Sequence, residues 1–198
     1  MPDLGMNELF GFTTLALTAW IYTSYIKGIL EGKTKPHPFS WIVWTILIGI
    51  TVLVMISDNA GPGVWAFIAV FFINALISVL SIKNGFENIT RIDVGVFVLA
   101  LVTLAIWLFL QNPLWAVLTL YVAHILAFIQ TFRKSWLNPK QEPVHVFFLN
   151  FVRHALTVLA LSNYSIITAL IPVLLVLCNI ALVLFLIWRR KDGKSLTH

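Results

Sequence analysis

Seven stretches of almost unbroken apolar residues, each about 17 to 23 residues long, constrain this chain more than any other feature. Runs of that length cross the roughly 30 Å of hydrocarbon in a bilayer at about 1.5 Å per residue. They fall near residues 9–27, 38–56, 64–82, 94–110, 114–132, 144–161 and 166–188. Lipid offers a backbone amide no hydrogen bond, so each run satisfies its own amides as a helix. The connections between runs are too short to hold a packed core of their own. With 60% hydrophobic and only 11% charged residues, the chain also lacks the polar surface of a soluble domain. The fold class expected is an all-α integral membrane protein with seven transmembrane helices.

The breaks between runs carry their own chemistry. Pro36 and Pro38 open the second run, Gly61-Pro62-Gly63 divides the second from the third, and Gln111-Asn112-Pro113 makes a tight turn before the fifth. Ser162-Asn163-Tyr164-Ser165 does the same before the seventh. Twelve of the 13 Lys and Arg residues lie on alternate connections or the tail. They include Lys27, Lys33 and Lys35, then Lys83 and Arg91, then Arg133, Lys134 and Lys140, and Arg189 to Lys194. The positive-inside rule makes that side cytosolic, with the N-terminus outside and the C-terminus in the cytosol. The protein is expected to be multi-pass in a cell membrane, with a retained first helix, since Asp3 and Glu8 replace the basic start of a signal peptide. Trp65, Trp115 and Trp188 fit an interfacial belt. The net charge of +5 sits beside membrane segments, which makes lipid headgroups the expected partners and not nucleic acid. The single cysteine, Cys178, excludes an internal disulfide and thiolate metal clusters.

An internal repeat is also legible. Pro38 precedes Asn74 by 36 residues, and Pro143 precedes Asn179 by 36. Each asparagine stands in the third helix of a triplet, and each triplet ends in a basic stretch with a glycine: Lys83-Asn84-Gly85 and Arg190-Lys191-Asp192-Gly193. One linking span between two triplets leaves them parallel, related by an axis along the membrane normal. The expected division is residues 1–93 for the first three-helix bundle, 94–113 for the linker helix, and 114–198 for the second bundle and tail.

This three, one and three arrangement resembles the SWEET sugar transporters and the wider PQ-loop (MtN3-like) group, which is itself similar to the KDEL receptor and the PnuC-type transporters. The resemblance implies a hinge role for Pro38 and Pro143 during alternating access, and a substrate-facing role for Asn74 and Asn179. Phe39 and Val144 stand where that group usually carries a glutamine after the proline.

Polar groups at bilayer depth are costly, about 2.5–3.5 kcal/mol for arginine on insertion scales, and usually face a bundle interior. The sixth run holds Asn150, Arg153 and His154, spaced i, i+3, i+4 and so on one helical face. The fifth adds Tyr121 and His124, and the second adds Trp41 and Trp44. Together with Asn74 and Asn179 these are expected to converge on a substrate site between the triplets. Plainer roles stand beside this one. The asparagines can bridge helices, Arg153 can snorkel or pair with Glu8 or Asp58, and the tryptophans can face lipid.

The expectation is a facilitative transporter of a small polar or anionic solute, without cofactor or metal. No Asp or Glu lies in mid-span, and a buried carboxylate relay is the common device of proton-driven carriers. The alternative is a non-transporting receptor or sorting protein of the KDEL-receptor type that binds a peptide or anion. A retinal protein is excluded, because residues 166–188 contain no lysine for a Schiff base. An enzyme is not expected, since no acid, metal-ligand cluster or activated serine occupies the spans.

Overall fold

A computed structural model of the chain describes residues 5–32, 36, 38–82, 91–110, 112–137, 139 and 144–195. Those residues are overwhelmingly helical, with no strand among them. In chain order they form α1 (Met6–Leu30), α2 (Pro38–Ser57), a 3-10 turn at Gly61–Val64, α3 (Trp65–Ser81), α4 (Arg91–Leu110), α5 (Pro113–Leu137), α6 (Val144–Leu159) and α7 (Ile166–Ser195). Four helices are long and apolar enough to cross a membrane: Met6–Leu30, Gly61–Ser81, Pro113–Leu137 and Ile166–Lys191. The apolar stretches of α2, α4 and α6 are shorter, at Trp41–Ser57, Phe97–Ile106 and Val144–Leu159. Pro143, His37 and the segment around Asn84 lie outside the described residues.

Local chemistry sets the helix ends. Gly32, at φ 70°, follows the last turn of α1, where the Gly32 N–H bonds the Ile29 carbonyl at 3.0 Å. α2 begins at Pro38, whose fixed φ suits a first helical position. It ends in a Schellman motif. Asn59 is left-handed (φ 56°), its N–H bonds the Ile56 carbonyl at 3.1 Å, and the Ala60 N–H bonds the Met55 carbonyl at 3.0 Å. Asn112 caps α5 by accepting the Leu114 N–H at 3.0 Å, with Pro113 at the first position. Ser165 caps α7, accepting from the N–H groups of Ile167 and Thr168 at 3.1 and 3.2 Å, while the Thr168 hydroxyl accepts the Ser165 N–H at 3.1 Å. α5 and α7 run past their expected ends because Arg133, Lys134 and Arg189 to Lys191 are good helix formers that favour a C-terminal turn. Pro172 lies inside α7 and removes one donor from its ladder.

The distribution of side chains is that of a membrane protein. Phe72, Val79, Ile129 and Leu184 are among many large apolar residues on the outer surface. Threonines and serines are buried instead, among them Thr14, Thr18, Thr51, Ser78 and Thr157, each bonded to a carbonyl of its own helix one turn back. α3 packs against both α1 and α2, and α7 against both α5 and α6. α1 meets α6, α2 meets α5, and α4 lies along α5 and α2.

The connection after α2 is fastened to the connection before α7. The Asn163 amide donates to the Asp58 carbonyl at 2.9 Å and to its carboxylate at 3.2 Å, and the Ser165 hydroxyl donates to the same carboxylate. The Ser162 N–H bonds the Ala60 carbonyl at 3.0 Å, and the Asn7 amide on α1 reaches the Leu161 carbonyl at 3.0 Å. This clasp marks one end of the bundle. The other end carries Lys27, Arg133, Arg189 and Arg190, with the Arg189 guanidinium 4.9 Å over Trp136 and Arg190 bonded to the Pro139 carbonyl at 3.0 Å.

Gly61 joins the Schellman motif to the clasp at φ 62°, and a Cβ there would run into the Ser162 side chain. Gly61→Ala should therefore lower stability by more than the roughly 1–2 kcal/mol of a left-handed non-glycine residue, whereas Asn59→Gly should be neutral or stabilising. Thermal unfolding of the purified protein checks the contrast; equal effects of the two would mean the clasp does not dictate this backbone.

Candidate functional site

A cavity of about 350 Å³ lies between the helices, within the range of small-molecule sites. Tyr22 reaches it from α1; Trp41, Trp44 and Ile48 from α2; Phe67, Val70 and Asn74 from α3. His124, Ala127, Phe128 and Thr131 line it from α5, Phe147, Asn150, Arg153 and His154 from α6, and Leu175 and Asn179 from α7. Most of the lining from α1, α2, α5 and α6 belongs to the helix halves nearer the basic end. Toward the clasp, Val54, Met55, Ala60, Ala160 and Leu161 are fully buried and close the bundle.

Eight of the nine residues singled out from the sequence as a binding set meet here: Trp41, Trp44, Asn74, His124, Asn150, Arg153, His154 and Asn179. Tyr121 does not line the cavity and packs, half-buried, against the apolar core. The cavity face of α5 is the one that carries His124, Ala127, Phe128 and Thr131, and Tyr121 stands one turn nearer the clasp. Pro38 is buried at the first position of α2, away from the lining. Tyr22 and the phenylalanines were not anticipated. The signal for Tyr22 is a polar stripe at four-residue spacing, Thr14, Thr18 and Tyr22, on one side of α1.

The buried polar side chains of the cavity differ from the self-bonded threonines. Asn74, His124, Arg153 and His154 are 3%, 0%, 5% and 6% exposed. Each carries a buried atom with no partner in the described protein: Asn74 Oδ1, His124 Nε2, Arg153 Nε and His154 Nδ1. Two further such atoms, Ser135 Oγ and Arg189 Nε, belong to residues outside the lining. A buried polar atom left unpaired costs about 1–3 kcal/mol, so four around one space is a substantial local penalty.

Partner logic fixes the direction of the histidine bonds. Arg153 Nη2 lies 3.0 Å from His154 Nε2, and a guanidinium can only donate. His154 Nε2 is therefore the acceptor, which puts the ring proton on Nδ1 as a free donor. His124 Nδ1 lies 2.8 Å from the Leu120 carbonyl, which can only accept. His124 Nδ1 is the donor, and its Nε2 is left as a free acceptor. The rings are held by aromatic edges as well, His124 at 5.7 Å from Trp44 and His154 at 5.8 Å from Phe67. Asn179 donates to the Leu175 carbonyl at 2.7 Å, which turns its amide along α7.

Arg153 neither snorkels nor pairs with a carboxylate among the described residues. Asp58, one of its expected partners, is engaged by Asn163 and Ser165. No protein family, curated protein or solved structure matches the chain. What the site can do follows from its own atoms: a partly open, aromatic-walled space with one cation among its described lining residues, free donors on α6 and free acceptors on α3 and α5. Among the described residues, no group of three or more His, Cys, Asp or Glu side chains is placed to hold a metal ion.

A buried cation without a counter-charge is kept at the expense of stability, and apolar replacements of buried charges are commonly neutral or stabilising by about 1–4 kcal/mol. Arg153→Met should thus leave the melting temperature of the ligand-free protein unchanged or raise it. A fall of about 5 °C or more would make Arg153 a structural post instead.

Proposed function

We propose that the chain is a facilitative membrane transporter of seven spans, in which two three-helix units, residues 1–93 and 114–198, rock about the cavity with 94–113 as linker. Its kinship would be with the SWEET and PQ-loop transporters that the sequence resembles. The observation that carries this reading is the cavity itself. Four buried polar side chains, each with one unpartnered atom, line one space that the rest of the bundle gives no structural reason to keep polar.

The repeat supports the division into units. The offset from Pro38 to Pro143 and from Asn74 to Asn179 is 105 residues. Four pairs at that offset line the cavity: Tyr22 with Ala127, Ile48 with Arg153, Val70 with Leu175, and Asn74 with Asn179. The bonded clasp residues Asp58 and Asn163 are also 105 apart, as residues beside a twofold axis would be. Helix packing follows the same exchange: α1 on α3 answers α5 on α7, α2 on α3 answers α6 on α7, and α1 on α6 answers α5 on α2. Repeat-built carriers bind between their repeats and expose the site by moving one against the other.

In this reading the basic end is cytosolic by the positive-inside rule, and the clasp is the outer closure. With the clasp bonded, the site would then be shut on the outer side. Solute would enter from the cytosolic half, and release to the other side requires the Asp58, Asn163 and Ser165 bonds to part. The absence of a mid-span carboxylate favours passive movement down a gradient over proton coupling.

Uptake into liposomes of sugars, amino acids, nucleosides and carboxylates tests the proposal, with saturable accumulation of one class expected. Saturable binding without accumulation would favour the receptor alternative. Asn74→Ala and Asn179→Ala should weaken binding of the transported class about tenfold, the worth of roughly one hydrogen bond, with unfolding temperature retained. A parallel loss of fold would make them helix bridges. Joining the clasp covalently with Asp58→Cys and Asn163→Cys, in a Cys178→Ser background, should stop flux on oxidation and restore it on reduction. Undiminished flux with the bond formed would reject alternating access through this end.

A further inference from the structure

We infer that the cavity takes a small planar aromatic carboxylate bearing a hydrogen-bond donor on the ring edge remote from its acid group. The inference rests on the reading of the cavity as a binding site and names its ligand class.

Charge comes first. Among the described residues Arg153 is the one cation in the lining, no Asp or Glu lines it, and no carboxylate pairs with Arg153. The histidines add no charge in the bonding pattern observed, since His154 accepts at Nε2 and each ring has one nitrogen without a proton. A monoanion balances this interior; a dianion such as a phosphate monoester would leave one charge uncompensated in the same low-dielectric space. Carboxylate geometry matches a guanidinium fork that has committed one N–H to His154 and holds Nε–H free.

The remaining free atoms are segregated. Donors, Arg153 Nε and His154 Nδ1, come from α6; acceptors, His124 Nε2 and Asn74 Oδ1, come from α5 and α3. The complementary molecule therefore accepts at one edge and donates at another. A sugar hydroxyl satisfies either kind of atom and leaves the cation unpaired, so a neutral sugar fits worse. Shape completes the description. Six of the seventeen described lining residues are aromatic, Trp41 and Trp44 among them, which favours a flat apolar body. A volume of about 350 Å³ is near the lower end of small-molecule sites, suited to one ring and not to a phospholipid or a dinucleotide.

The test uses the full chain, purified in lipid nanodiscs, with tryptophan fluorescence and calorimetry as readouts. The probe is 4-hydroxybenzoate, compared with benzoate (donor removed), 4-hydroxybenzamide (charge removed), 4-hydroxycyclohexanecarboxylate (plane removed) and glucose. The first should bind at least about tenfold more tightly than each of the others. Equal or tighter binding of the amide or of glucose overturns the proposal without any variant being needed. Arg153→Gln should weaken the two benzoates about a hundredfold while leaving the benzamide within about threefold. An equal loss for acid and amide overturns it too, since the guanidinium would then only support the fold. Acid binding without liposome accumulation upholds this ligand class and rejects transport. Accumulation of a neutral solute without acid binding does the reverse.

Discussion

Lipid supplies no hydrogen bonds, and the whole arrangement of polar atoms in this protein answers to that condition. Backbone amides are met inside helices. Buried threonine and serine hydroxyls return to carbonyls of their own helices, as at Thr14, Thr18, Thr51 and Thr157. Helix ends near the clasp are closed by Asn112, Ser165 and the Asn59 to Ala60 turn. Against that background, unmet atoms on Asn74, His124, Arg153 and His154 are conspicuous because they cluster on one cavity and not along the helix seams. Selection for stability alone would favour apolar groups at such positions, which is what motivates the proposal of an occupant.

Much of this was legible from residue order, for physical reasons. Apolar run length and Pro or Gly punctuation placed the helices, because bilayer thickness and missing backbone donors act locally. The spacing of Asn150, Arg153 and His154 put them on one face, and all three line the cavity. Tyr121 shows where that logic ends. It shares a helix and a polar tip with His124, yet a three-residue step leaves it beyond the lining and against the core. Tyr22 went unread because α1 carries no charged or amide residue in mid-span, only a sparse stripe of hydroxyls. The clasp was invisible as such. Asp58, Asn163 and Ser165 looked like turn residues, and only tertiary approach brings them together across more than a hundred positions.

Under the proposed repeat, the lining is a symmetrical frame with unsymmetrical chemistry. Asparagines correspond at 74 and 179, but Arg153 corresponds to Ile48 in the exchange, and His124 and His154 have no histidine counterparts in the first unit. Two copies of one backbone plan can provide opposed walls at little risk to folding, since each wall is packed by the same helix order. Charge placed on one wall alone then gives a bound molecule a head and a tail. Orientation of the ligand would be set by which unit carries the guanidinium.

Pro172 has a mechanical implication. Without an amide proton it leaves the Thr168 carbonyl outside the α7 ladder, at the residue whose hydroxyl is already bonded to Ser165 and to the Asn163 carbonyl. The opening turn of α7 therefore has one rung fewer to the remainder of its own helix and additional side-chain ties to the neighbouring connection. Asn179 sits two turns beyond that interruption. Under the proposed rocking, a joint so positioned would let the clasp end tilt while the wall bearing the amide stays in register, confining deformation to one weak rung of a long rod.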